Sequence, residues 1–297
     1  MGNKKRIAKE VVDFILAENP NCKYVYDLFG GGGSMSFEFL SRPQIERVVY
    51  NEYDPAIVNL IKDVLKNGVT EKYFQWIDRE TFHKHKKGTD GVAGMIKTCW
   101  SFGNKGFDYL FSKENEAIKK PLHDLVVYGC GEALKEFYNI SGLMLPTRFV
   151  CDKVDVKDIQ TRRMEVMSIV KKSVDRIEHL ERLQQLEQLQ QLEQLQQIGI
   201  RKLWCSNASY DEVEIDTPIE ETVIYLDPPY KGTKKYQNDI DHDKLLQFVK
   251  NSPYKVYVSS YDFDLPCVWE KSVRCTLGAA NQSKMATEKL FRNTSNG

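Results

Sequence analysis

Tyr225 to Gly232 reads Tyr-Leu-Asp-Pro-Pro-Tyr-Lys-Gly. A carboxylate, two prolines and an aromatic follow directly on the apolar run Val223-Ile224-Tyr225-Leu226. Proline has no N–H to give a sheet ladder, so a strand should stop here. These residue types suit methylation of a planar exocyclic amine such as N6 of adenine. The lone pair of that nitrogen is delocalised into the ring. It attacks poorly unless acceptors hold its N–H groups and favour a more tetrahedral nitrogen. Asp227 supplies a carboxylate, and Pro228 a backbone carbonyl. Pro228 and Pro229 stiffen the segment, so less ordering is lost at reaction. Tyr230 offers a ring on which a base could stack once it has left a duplex. A turn that only ended a strand would not need this combination.

Two further stretches fit the same chemistry. Asp27 to Ser34 reads Asp-Leu-Phe-Gly-Gly-Gly-Gly-Ser, after a strand pattern and before a helix pattern. Glycines let the backbone pass close to a ligand, and a helix N-terminus favours polar or anionic groups. The run departs from the dinucleotide fingerprint G-x-G-x-x-G, so alone it is also a plain glycine turn. Then Val48 to Pro55 reads Val-Val-Tyr-Asn-Glu-Tyr-Asp-Pro, with Glu52 and Asp54 ending a second strand. An acid in that place accepts hydrogen bonds from ribose hydroxyls in nucleotide-binding α/β units. Glu52 is the better ribose ligand, and Asp54, before Pro55, the better helix cap.

Together and in this order, these motifs resemble the Dam-like adenine-specific (N6) DNA methyltransferases. A cofactor motif, a long insert and then the catalytic motif is the order called alpha. The resemblance covers about 1–110 and 200–297 and is weak between about 115 and 200. It implies S-adenosylmethionine (SAM) as methyl donor, double-stranded DNA as partner and a flipped adenine as target. It also implies roles for residues. Asp27, Phe29, Gly30 and Gly32 match the first cofactor motif, beside the methionine part of SAM. Glu52 matches the acid that binds the SAM ribose, and Asp227, Pro228, Pro229 and Tyr230 match the catalytic motif. Asp227 would also border the cofactor. Gly2 to Glu10 resembles the N-terminal family motif, without its aromatic, and Lys4 would be its lysine, near the SAM carboxylate. Ser101–Phe111 resembles a loop leading into target recognition, Tyr257–Asp262 a later strand of the catalytic sheet, and Cys275–Phe291 the C-terminal stretch. Cytosine-N4 enzymes more often carry Ser in place of this Asp, and protein-glutamine enzymes carry Asn, so Asp227 favours adenine. An RNA or protein methyltransferase on the same sheet is the alternative reading. So is a catalytically inactive DNA-binding relative, though the complete Asp-Pro-Pro-Tyr argues against it.

The elements that must position these residues follow from periodicity. A helix is expected over 5–18, ended by Asn19-Pro20, and strands over 23–28 and 47–54. Helices should follow over 35–40 and 55–65. This β-α-β-α order implies a mostly parallel sheet, a SAM-dependent methyltransferase (Rossmann-like) α/β fold. The β pattern resumes from Trp204, with strands at the Asp-Pro-Pro-Tyr motif, at 254–262 and near the C-terminus, and a helix near 242–250. The expected organisation is a SAM-binding catalytic domain over 1–75 and 200–297, with a mainly helical target-recognition region inserted over 76–199. Within the insert, residues 180–198 repeat Leu and Gln, with leucines at 180, 183, 186, 189, 192 and 195. A three-residue step turns a helix by about 300°, so this stripe winds around the axis instead of forming a coiled-coil seam. A polar-leucine helix or spacer is expected, one that could also self-associate.

The 297 residues carry 42 basic and 42 acidic side chains, for a net charge of zero, which argues against polyanion binding by the whole surface. A local basic groove remains open to the insert. Lys84, Lys86, Lys87, Lys97, Lys105, Lys113, Lys119, Lys120, Arg148, Lys153, Arg162, Arg163, Lys171 and Lys172 lie there. Phosphate contacts and base readout are both expected within 76–180, although a lone lysine is ordinarily a solvated charge. His83 and His85 have no third ligand placed near them, so no metal is expected. Seven cysteines without a C-x-x-C spacing point to reduced thiols. With no signal-peptide core and no long apolar run, a soluble cytoplasmic protein is expected. The repeat and compact size would suit a phage or mobile-element enzyme, with or without a cognate restriction enzyme.

Overall fold

The structure is a computed structural model that describes residues 4–102, 106–152, 156–173, 183–198, 202–230, 240–275 and 284–294. The chain divides into two compact units, 1–58 with 198–297, and 59–197.

The first unit is built on seven strands. They are β1 (Tyr24–Asp27), β2 (Arg47–Asn51), β3 (Leu203–Ser206), β4 (Thr222–Leu226), β5 (Lys255–Ser260), β6 (Cys267–Cys275) and β7 (Lys284–Arg292). They form one sheet in the order β3-β2-β1-β4-β5-β7-β6. The first five run parallel, and β7 pairs antiparallel with both β5 and β6. Every residue of β4 is buried, as its unbroken Thr-Val-Ile-Tyr-Leu run suggests for a strand covered on both faces. The fold is therefore α/β with a mostly parallel sheet. Helices α1 (Lys5–Glu18), α2 (Ser34–Leu40) and α10 (His242–Asn251) belong to this unit, and α3 (Pro55–Asn67) begins in it. One core cluster joins Tyr26, Leu28, Ile224 and Leu226 of the central strands to Val256 and Val258 of β5 and to Leu245 and Val249 of α10. This rigid centre is what fixes the strand ends.

β2 stops at Asn51, three residues before the expected end at 54. Side chains take over from the ladder there. Glu52 Oε1 accepts the Asp54 N–H at 3.0 Å, and Asp54 Oδ1 accepts the Ala56 N–H at 2.9 Å. Asp54 is thus the cap of α3, as its place before Pro55 suggests.

The boundary between the units falls inside α3, after Val58. The second unit holds α4 (Arg79–His85), α5 (Gly91–Cys99), α6 (Lys113–Tyr128), α7 (Gly131–Ser141), α8 (Val156–Ser173) and α9 (Gln184–Ile198). Its core includes an aromatic group in which Trp76 and Trp100 meet edge to face at 4.9 Å and Trp76 stacks on Phe111 at 5.7 Å. His123 is buried among these rings, with Nε2 2.9 Å from the Phe74 carbonyl. Burial pushes its pKa down to about 4, so it is neutral.

The Leu/Gln repeat is part of this unit's core and not a spacer. Leu183, Leu186, Leu189 and Leu192 are buried. Because the stripe winds, polar residues of the repeat also turn inward: Gln185 is fully buried, with its Oε1 lacking a hydrogen-bond partner among the described residues. Other polar residues of the repeat are paired. Arg163 Nη2 donates to Gln190 Oε1 at 3.0 Å and its guanidinium meets Glu187 at 3.4 Å, while Gln160 donates to Glu193 at 3.4 Å. Residues 180–182 of the repeat lie outside the described residues.

Candidate active site

The site forms where the sheet changes direction. From β1 the chain goes outward through β2 to β3 on one side, and from β4 to β5 on the other. β1 and β4 are the neighbours from which the strand order runs in opposite directions, the usual ligand position of open α/β sheets. Asp27 is the last residue of β1 and pairs in register with Tyr225 of β4. Asp227 follows β4 directly, because the two prolines end the strand at Leu226.

The glycine loop is tied down from below. Gly30 N–H donates to the Asn51 carbonyl at 2.8 Å, Tyr50 Oη donates to the Gly31 carbonyl at 2.6 Å, and Gly31 N–H donates to Glu52 Oε2 at 2.9 Å. A Cβ on Gly30 would sit 2.2 Å from the Tyr50 ring, so only glycine fits. Gly33 starts α2 with φ of +78°, a backbone that L side chains rarely adopt. Gly32 differs from both. A Cβ there would meet nothing within 4 Å, so the loop faces open space at that residue. Phe29 stacks on Tyr210 at 5.4 Å and is held in place by it.

Asp27 carries a buried charge problem. Ser36 Oγ donates to its Oδ2 at 2.6 Å, while its buried Oδ1 has no hydrogen-bond partner among the described residues. Burial pushes the carboxyl up to about 7, and Asp227 and Glu52 add like charge in the same direction. Glu52 is also buried, and burial raises its pKa against backbone N–H groups of Asp54, Gly31 and Tyr53 that favour the ionised form. Oε1 accepts the Asp54 N–H and Oε2 the Gly31 N–H, and a carboxylate has about four lone-pair sites, so capacity for another donor remains.

Asp227 lies in a second polar cluster, with Lys4 and Tyr230. Lys4 is buried just ahead of α1, with Nζ 3.6 Å from Asp227 Oδ1 and hydrogen-bonded to Tyr230 Oη. Tyr230 Oη is itself 3.3 Å from Asp227 Oδ1. Burial disfavours the Lys4 charge, but Asp227 and its neighbours outweigh that and raise its pKa, so it stays an ammonium. Burial raises the Asp227 carboxyl above the usual range, with Lys4 opposing. Asp27, Phe29, Gly30, Gly32 and Glu52 thus line one half of the strand ends. Lys4, Asp227 and Tyr230 are in contact in the other half.

Residues 1–124 match the model of the D12 class N6 adenine-specific DNA methyltransferase family. The match covers less than half of the chain and supports an adenine-specific DNA methyltransferase. It takes in Lys4, the glycine loop and Glu52, whereas Asp227 to Tyr230 lie beyond it and rest on the geometry above. Two solved structures of the rRNA methyltransferase aviRa from Streptomyces viridochromogenes are similar at 12% identity, over 97% of this chain and 84% of that one, with a TM-score of 0.32. A likeness that distant carries no functional argument. No curated protein matches the chain.

Methyltransferases of the matched family imply SAM in general, and the residues present suit a cationic amino-acid ligand. The buried Asp27 Oδ1 lacks a donor among the described residues, which an ammonium would supply, and a Cβ on Gly32 would meet nothing within 4 Å.

Several residues of this site were not singled out from sequence. Glu288 of β7 bonds Lys4 Nζ at 2.5 Å, and Ser259 of β5 lies 3.3 Å from Tyr230 Oη. Tyr261, just past β5 and 44% exposed, meets Tyr230 edge to face at 4.6 Å. Asn51 binds the Leu28 and Ala208 carbonyls at 3.1 and 3.0 Å, and Asn207 binds the carbonyls of Glu52 and Tyr53 at 2.7 and 2.9 Å. A signal existed for this last group. Asn207-Ala208-Ser209-Tyr210 directly follows β3, at the same end of the sheet as the motifs.

The basic residues of the insert are not a uniform set. Lys97, Lys119 and Arg163 are buried and do not offer surface charge. Arg162 is spent on the Val126 carbonyl at 2.9 Å, and Lys86 on the Phe107 carbonyl at 2.7 Å. Lys84, Lys87, Lys113, Arg148 and Lys171 are exposed. Lys105 and Lys153 lie outside the described residues. Among the described residues no helix is long and apolar enough to cross a membrane, and no group of three His, Cys, Asp or Glu side chains could hold a metal.

Proposed function

We propose that the chain transfers a methyl group from SAM to N6 of an adenine flipped out of double-stranded DNA at a specific sequence. The observation that carries this reading is the placement of two carboxylates, Asp27 and Asp227, after neighbouring parallel strands at the switch point. One end of the crevice then takes the cofactor and the other the base.

SAM supplies an electrophilic methyl on a sulfonium. Asp27 would hold the amino group of the cofactor through Oδ1, and Glu52 would accept ribose hydroxyls on its free lone pairs. Gly30 and Gly32 let the loop lie close, and Phe29 borders it. Lys4 sits against Asp227 and Tyr230, and in this reading its charge also favours the cofactor carboxylate. The Asp227 carboxylate and the Pro228 carbonyl would accept the two N–H groups of the amine, drawing the lone pair out of the ring. The methylated nitrogen is then cationic and must lose a proton. A carboxylate whose pKa is raised by burial is better matched to take it. Tyr230 has its hydroxyl engaged inward, so its ring and the exposed Tyr261 ring form the aromatic wall for a base. The inserted unit would read the target, with exposed Lys84, Lys87 and Lys113 among the phosphate contacts.

Incubation with labelled SAM and duplex DNA, followed by digestion to nucleosides, tests this. N6-methyladenine is the expected product, and Asp227→Ala should abolish it while leaving the melting curve in place. Label found only in RNA or protein, or near-normal turnover by Asp227→Ala, would overturn the reading.

A further inference from the structure

We propose that Glu288 is a positioning residue that holds the Lys4 ammonium away from Asp227 and so keeps the Asp227 carboxylate open to accept the amine. This rests on the assignment of Asp227 as the amine acceptor.

The geometry is unequal. Lys4 Nζ lies 2.5 Å from Glu288 Oε2 but 3.6 Å from Asp227 Oδ1. One cation is thus shared between two carboxylates, tightly with one and loosely with the other. Glu288 is only 14% exposed and sits on β7, where it is paired in register with Lys271 of β6, while the next residues, Lys289–Arg292, are also paired to β5. Its strand is thus held on both sides immediately after it. Tyr230 Oη lies 3.3 Å from Glu288, Asp227 and Ser259 alike, so Glu288 also steadies the tyrosine. Two negative charges against one positive leave the cluster net anionic. That suits a methyl transfer in which positive charge develops on the nucleophilic nitrogen. Without Glu288, the buried ammonium would have Asp227 as its nearest anionic partner. A buried charge left unpaired is costly, so Lys4 would close on Asp227 and occupy the lone pairs the amine needs.

The test is Glu288→Gln, nearly equal in shape, beside Glu288→Asp, which keeps the charge. In Glu288→Gln, kcat should fall by about 10- to 100-fold, the range expected when a reacting group is misplaced by about an ångström. KM for SAM and DNA should change little, and Glu288→Asp should recover part of the loss. The acid limb of the kcat profile should also move to lower pH. Asp227 is faced by Lys4, Glu288, Tyr230, Tyr225 and Asp27, and of these Glu288 raises its pKa while Lys4 lowers it. Removing the first and bringing the second closer act in the same direction. A crystal structure of Glu288→Gln should show the Lys4–Asp227 separation shortened from 3.6 Å to hydrogen-bond distance. Wild-type kcat in Glu288→Gln, an unmoved acid limb with an unmoved Lys4, or equal losses in both variants would overturn the proposal. If the wild type itself fails to methylate DNA, the functional reading falls, and the crystallographic distance still judges Glu288.

Discussion

Replacing Asp27 by Asn should make the SAM-free protein more stable, and more so as the pH rises. Asp27 is 1% exposed, has one carboxylate oxygen satisfied by Ser36 and leaves the other unpartnered. Its pKa rises from 3.8 to about 7, with burial the largest cause. In the unfolded chain the group gives up its proton near 3.8, whereas the folded chain keeps it to about 7. Between these values the native state binds more protons, so stability falls as pH rises. Below both there is no penalty. Above about 7 the whole penalty is present, about 4 kcal/mol from the gap between the two values. Asn cannot ionise, and its amide oxygen can still take the Ser36 hydroxyl. Urea unfolding of both proteins without cofactor measures the effect. The advantage of Asn should grow by about 2–3 kcal/mol between pH 5 and pH 8. Added SAM should then stabilise the wild type more than the variant, because a ligand stabilises by what it gains from the native state. An advantage equal at both pH values, or a less stable Asn variant at pH 8, would refute the claim that Asp27 is a strained anion awaiting a cation.

The glycines should separate folding from binding. Gly30→Ala forces a Cβ to 2.2 Å from the Tyr50 ring and should cost about 1–3 kcal/mol in melting experiments. Gly32→Ala meets nothing within 4 Å and should leave stability within about 0.5 kcal/mol, yet weaken SAM binding measured by calorimetry. Leu186→Ala removes a fully buried side chain of the Leu/Gln repeat and should cost about 2–5 kcal/mol, whereas a solvated spacer would not notice the change.

The sheet was legible because its strands announce themselves twice. Val223 to Leu226 is a continuous apolar run, which a strand buried on both faces requires, and the prolines after it forbid an extension. The β1–α2–β2–α3 rhythm was equally plain, since each strand is followed by a helix of correct period. Three features escaped. The end of β2 was placed too late, because Glu52 and Tyr53 carry no mark that tells a last strand residue from a turn; side-chain bonds from Glu52, Asp54 and Asn207 decide it. The repeat reads as a polar-leucine helix or spacer because its three-residue leucine spacing fits no single partner face, and only the helix is right. Packing resolves that by burying leucines and pairing Glu187, Gln190 and Glu193 with Gln160 and Arg163. The basic residues of the insert looked interchangeable in the sequence, and burial sorts them into core and surface.

The site divides along a similar line. Residues contributed by one contiguous motif, such as Asp27 with its glycines or Asp227 with its prolines, can be read because backbone chemistry restricts the types that fit. Residues that complete the site from distant strands cannot. Glu288 comes 284 positions after Lys4, and Ser259 comes 29 after Tyr230. Nothing in Met-Ala-Thr-Glu-Lys distinguishes that glutamate from a surface acid on an edge-like strand. What distinguishes it is the return of β7 between β5 and β6, which no local pattern encodes. The same antiparallel insertion that breaks the parallel sheet therefore delivers the second carboxylate to the Lys4 ammonium. Without that strand order, Lys4 would face Asp227 alone. In the proposed reading, the acceptor role of Asp227 would then compete with its own salt bridge.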